Sequence, residues 1–183
     1  MKFLRTLFAG LMTSTVANAA QPTATKSPAE MMRDMRTGWL TRVPEKGSYS
    51  SEDEVVAVVM DWPLGEQTIT VLSSSVGDAS LYTTSTFGII GGIGHESVRK
   101  AAVAFVSCAQ RFLKLAAATK EFPYPDSRTL RFYMVTPSGV RTVSFPMKDV
   151  DRSDSPARAL YAAGQDVVTE LRLITPTGNE KKG

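Results

Sequence analysis

The residues best suited to chemistry lie between Gly88 and Arg99, where four glycines lead to the chain's only histidine, His95, and then to Glu96, Ser97 and Arg99. A strand that passes through glycines into a helix can hold an anion, because the first N–H groups of a helix are free and sit at the positive end of its dipole. The details of this segment argue against a phosphate loop. No Lys-Ser or Lys-Thr pair follows the glycines, Ser97 stands where a dinucleotide fingerprint has Gly or Ala, and Glu96 already places a carboxylate in the first turn. With Gly94 as N-cap, Ile93 and Val98 take the N′ and N4 positions of a hydrophobic staple. The segment therefore reads as a strand-to-helix hinge that carries the one residue any acid–base chemistry near neutral pH must use.

Partners for such chemistry are few. Metal catalysis needs two or three His or Cys ligands, and the chain has one of each. Cys108 falls on the same expected helix as His95, roughly 20 Å farther along its axis, and reads as a small buried residue. No Gly-x-Ser-x-Gly elbow is present. No metal and no cofactor are expected. Asp61, followed by Trp62 and Pro63, is the second place where a polar ligand could be held, against the simpler reading of a turn-starting Asp and a packed Trp. A small hydrolase would have to use His95 as general base, with Asp61 as its orienting acid. The surface expected to meet a partner or ligand comprises Asp61, Trp62, Gly91, Gly92, Gly94, His95, Glu96 and Arg99.

The elements that must carry these residues follow from local pattern. Ser27, Pro28 and Glu30 form a capping box, Met31, Met32, Met35 and Trp39 a helical apolar stripe, and Gly38 a stop. Val55 to Met60 is an apolar, β-branched run that reads as a central strand, with a turn at Pro63 to Gly65. Gln67 to Ser73 and Ala79 to Phe87 complete a meander. His95 to Ala118 repeats its apolar residues at a helical period, with Glu96 and Lys100 spaced for an ion pair on the outer face. The stiff loop Glu121 to Asp126 is expected to cover the end of the sheet. Thr129 to Thr136 and Val140 to Phe145 make a hairpin, and Ser155 and Pro156 open a last helix. The expected fold is α+β, a single antiparallel sheet of about five strands in the order α-βββ-α-ββ-α with helices packed on it, loosely profilin-like or roadblock/longin-like.

Lys2 and Arg5, the short apolar stretch Leu7 to Met12, and Ala17 and Ala19 in A-x-A spacing have the form of a secretory signal peptide, with cleavage expected after Ala19. Residues 20–26 read as a flexible lead, 27–174 as one domain and 175–183 as a disordered tail. No apolar run reaches the roughly 20 residues of a membrane span. The formal net charge of +3 falls to about +1 without Lys2 and Arg5, and no basic patch with stacking aromatics is present, so nucleic acid is not an expected partner. A lone Cys108 leaves the fold to its hydrophobic core.

Met60 to Trp62, Ala79 to Tyr82 and Gly91 to Arg99 resemble segments of a group of small bacterial proteins that carry no assigned activity. The resemblance spans roughly Val55 to Phe145. It implies an envelope setting and brings no catalytic residue with it. The expectation is a periplasmic or secreted, non-enzymatic domain that binds a protein or small ligand of the envelope. The alternatives are the His95 hydrolase and an assembly role through the Met-rich first helix.

Overall fold

In the computed structural model, residues 26–47, 49–85 and 88–175 are described. The expected signal peptide, all of the lead except Lys26, and all of the tail except Thr175 lie outside them. The chain forms α1 (Pro28–Leu40), β1 (Ala57–Leu64), β2 (Gln67–Ser74), β3 (Ala79–Thr83), β4 (Gly88–Ile89), α2 (Glu96–Phe112), β5 (Ala117–Thr119), β6 (Thr129–Thr136), β7 (Gly139–Pro146) and α3 (Pro156–Leu173). The architecture is α+β with one antiparallel sheet in the order β4-β3-β2-β1-β6-β7-β5.

The expected sheet of about five strands is corrected to seven. The two additions lie at the edges and span two and three residues, respectively. β4 falls in the glycine segment and β5 in a run of alanines that continues the helical pattern. Neither is long enough to show an alternation of period two, and each exists because a neighbouring strand offers an unpaired edge.

β1 occupies the centre because its residues tolerate burial on both faces. It pairs with β2 from Ala57↔Ser74 to Leu64↔Gln67 and with β6 from Ala57↔Val135 to Asp61↔Arg131. The strand runs on through Pro63 to Leu64, two residues into the expected turn. The reversal is made by Gly65 and Glu66, with Gly65 at φ +62, a conformation that glycine adopts without steric cost.

Alternate β1 residues enter separate cores. Val58, Met60 and Trp62 join Phe105, Phe132, Leu160 and Leu171 beneath α2 and α3. Ala57 and Val59 join Leu40, Leu72, Tyr133 and Val135 on the α1 side. Trp62 meets Tyr161 edge-on, with ring centroids 6.2 Å apart.

Other local expectations are revised. α1 has its capping box at Ser27 and Glu30 but runs through Gly38 to Leu40. Its methionines are not its buried stripe: Met31 is exposed, Met32 and Met35 are half-buried, and the fully buried side chains are Arg36 and Leu40. α2 ends at Phe112 and tightens into a 3-10 turn at Leu113–Leu115. Its N-cap is His95, so Ile93 and Val98 do not occupy staple positions. A 3-10 turn at Gly92–Gly94 comes between β4 and α2, entered through Gly91 at φ +84. α3 is capped by Ser155, whose hydroxyl accepts from Ala157 N–H at 3.1 Å. Among the described residues, no helix is long and apolar enough to cross a membrane.

Gly92 is the most tightly enclosed glycine of this segment. A Cβ there would come 2.5 Å from Val98 Cγ1 and 2.9 Å from Leu171 Cδ2, whereas Gly94 has open space. Gly92→Ala should cost about 1–3 kcal/mol by overpacking. Gly94→Ala should stay within about 0.5 kcal/mol of the parent. Urea unfolding of the two variants checks the contrast.

Candidate functional site

The residues singled out by sequence do not converge. Asp61 and Trp62 are neighbours on β1, so their side chains leave opposite faces of the sheet. Trp62 goes into the α2–α3 core and Asp61 turns toward α1. His95, Glu96 and Arg99 lie at the start of α2, across the sheet from Asp61. His95 and Asp61 therefore do not form an acid–base pair. Two clefts stand out among the described residues, one of about 230 Å³ beside Trp39 and Arg42 and one of about 190 Å³ beside Arg131 and Ser144. Neither is lined by His95 or Asp61.

The glycine junction forms a fixed, exposed bend. Gly92 is buried against Val98 and Leu171. His95 N–H donates to Gly92 O at 3.0 Å, and Arg99 Nη1 donates to Ile93 O at 2.8 Å. Gly91, Gly94, His95 and Glu96 are exposed. Glu96 pairs with Lys100 at 2.7 Å, so the first-turn carboxylate already has a cation. Between these polar groups, Ile90 and Ile93 remain 58% and 47% exposed.

Asp61 has a different role from the one its position in the sequence implied. Its carboxylate is fully buried and faces Arg36, itself only 3% exposed. Arg36 Nε donates to both carboxylate oxygens at 3.2 and 3.1 Å, and Nη2 donates to Oδ2 at 2.5 Å. Thr70, directly opposite on β2, donates its hydroxyl to Oδ1 at 2.5 Å. Arg36 Nη1 donates to the Phe122 carbonyl at 2.9 Å. The guanidinium carbon also lies 4.3 Å from the centroid of Tyr124 and 5.3 Å from that of Tyr133. Each guanidinium nitrogen thus has an acceptor, which a buried cation requires.

Opposing forces act on the titration of these groups. Burial pushes the Asp61 carboxyl above the usual carboxylate range, while Arg36 and Thr70 pull it back. Burial works to lower Arg36, but the hydrogen bond and charge of Asp61 outweigh it and hold the guanidinium above its usual value. Burial raises the Tyr124 phenol, with Arg36 opposing.

Sequence reading missed Arg36, Thr70, Tyr124 and Tyr133. A signal for Arg36 was present, since it follows Met32 and precedes Leu40 at four-residue spacing and so must share their face. The loop Glu121 to Asp126 does cover part of the sheet: Phe122 meets Tyr133 edge-on at 5.8 Å, and Pro123 O accepts from Tyr133 Oη at 2.6 Å and Arg131 Nη1 at 3.0 Å. Cys108 is buried, with its thiol 3.7 Å from Ala159 O and Arg111 Nη2 at 3.3 Å. No group of three or more His, Cys, Asp or Glu among the described residues could hold a metal ion. No protein-family model, no curated protein and no solved structure matches the chain, so the profilin-like and roadblock/longin-like comparisons gain no support.

Removing one partner of a buried pair strands the other charge, at about 3–5 kcal/mol. Asp61→Asn and Arg36→Met should each lose stability in that range by urea denaturation. The double variant Arg36→Met/Asp61→Asn should lose less than the sum of the two single changes.

Proposed function

We propose that this chain is an exported protein of the bacterial envelope that binds a protein partner through the bend from Ile90 to Arg99. The observation that carries this reading is the pair of exposed isoleucines, Ile90 and Ile93, on a bend held by hydrogen bonds and close packing. A scattered surface apolar residue is ordinary. Two on one short, braced bend, flanked by His95, Glu96 and Arg99, have the make-up of a small interface with an apolar centre and a polar rim. A held loop also loses little conformational entropy on docking. Export is supported by the form of residues 1–19 and the bacterial resemblance. The contact region is narrower than the sequence surface, since Asp61 and Trp62 are buried.

The test is an Ile90→Ser/Ile93→Ser double variant, compared with the parent by photo-crosslinking from position 97 in envelope extracts. The expected result is an unchanged thermal midpoint with loss of the protein adducts that the parent forms. Retention of the same adducts with the same yield overturns the reading. Edman sequencing of the protein purified from whole cells should begin at Ala20, and a start at Met1 would remove the cleaved-leader component of the reading.

A further inference from the structure

The groups around the Arg36 guanidinium all come from outside α1. The carboxylate is Asp61 of β1, the carbonyl is Phe122 of the loop before β6, and the two rings are Tyr124 and Tyr133. Asp61, Phe122 and Tyr133 have anchors besides Arg36. Thr70 fixes the carboxylate from β2. Tyr133 Oη and Arg131 Nη1 both bond Pro123 O, and Phe122 packs on Tyr133, which anchors the loop on each side of its contact with the cation. A carboxylate, a carbonyl and two aromatic faces are what a planar guanidinium needs: acceptors in its plane and π-density over it. α1 adds little to this box beyond its occupant, since Arg36 and Leu40 are the only fully buried side chains in the helix.

We propose that Asp61, Thr70, Phe122 O, Tyr124 and Tyr133 form a guanidinium-binding site, which α1 fills in cis with Arg36 and which accepts a guanidinium group from another molecule when that side chain is missing. The site is separate from the isoleucine bend and stands or falls independently of the partner reading above. Its chemistry selects guanidinium over ammonium, because a single point donor cannot reach Asp61 and the Phe122 carbonyl in the same fork. The charged and titratable groups facing Asp61 are Arg36 from α1, Arg131 from β6 and Tyr124 from the loop, while Tyr133 faces Arg36.

The experiment is chemical rescue of the full chain carrying Arg36→Ala. N-methylguanidinium at millimolar concentration should raise the thermal midpoint of this variant by about 3 °C or more, with the stabilisation growing as the logarithm of its concentration once that exceeds the Kd. Methylammonium at the same concentration should not, and neither compound should raise the midpoint of the parent or of Arg36→Ala/Asp61→Asn. If Arg36→Ala folds only when N-methylguanidinium is present, that is the same positive result read as folding yield. A capped arginine tripeptide, set against its lysine counterpart, identifies the source. Rescue by both the tripeptide and N-methylguanidinium assigns the site to a polypeptide arginine, and rescue by N-methylguanidinium alone assigns it to small guanidinium compounds. Equal response to methylammonium, rescue that survives Asp61→Asn, or no rescue by either compound overturns the proposal.

Discussion

The ion pair between Arg36 and Asp61 is the constraint to which the α1 side of the molecule is fitted. Two charges withdrawn from water carry a large desolvation cost, and only a nearly complete set of bonds offsets it. That requirement accounts for several choices at once. Thr70 stands opposite Asp61, the Phe122 carbonyl points inward, and Tyr124 and Tyr133 lie over the cation. Because the guanidinium can reach all of these acceptors in only one placement, the pair sets the rotation and register of α1 on the sheet. Leu40 alone would permit sliding along an apolar surface.

The two faces of the sheet consequently have different chemistry. Beneath α2 and α3 the inward residues are almost all apolar, and close packing does the work, down to Gly92 and Gly164 admitting their neighbours without a side chain of their own. Beneath α1 the inward residues include Asp61, Thr70, Ser74, Ser80 and Tyr82, so the cohesion there depends on hydrogen bonds being satisfied. This difference also separates the two regions that the sequence had brought together. A period of two sends Asp61 and Trp62 to different cores, and no rearrangement of the loop at His95 can bring its imidazole to Asp61 through an eight-residue central strand.

Long strands and helices were legible because their patterns repeat enough times to exceed noise. β6 and α3 are bounded by residues that state their own limits: Pro137, Ser138 and Gly139 for the hairpin, and Ser155 and Pro156 for the cap. β4 and β5 were not legible, since two or three residues contain no period and their pairing is decided by the edges they find. At Gly94 the cap was misplaced by one residue, because the extended conformation an N-cap needs can be supplied by His95 as well as by glycine. Asp61 was singled out as a carboxylate beside an aromatic that could hold a polar ligand, and not as a buried charge. Its partner was hidden because Arg36 lies 25 positions earlier, among methionines that drew attention to themselves. A charge within a buried pattern on two separate elements is the signal that would have joined them.

The pairing of β1 with β6 bears on how the molecule is made. One side of the central strand is completed by the local meander, with β2 returning immediately through Gly65. The other side waits for Arg131 to Val135, which emerge long after Ala57 to Asp61. A chain delivered N-terminus first can form β1, β2 and β3 early, but β1 keeps an open edge until the second hairpin arrives. Closure of the sheet is thus a late, long-range event, slow by the entropy of the intervening loop. Until then the apolar run Ala57 to Met60 needs shelter from other chains.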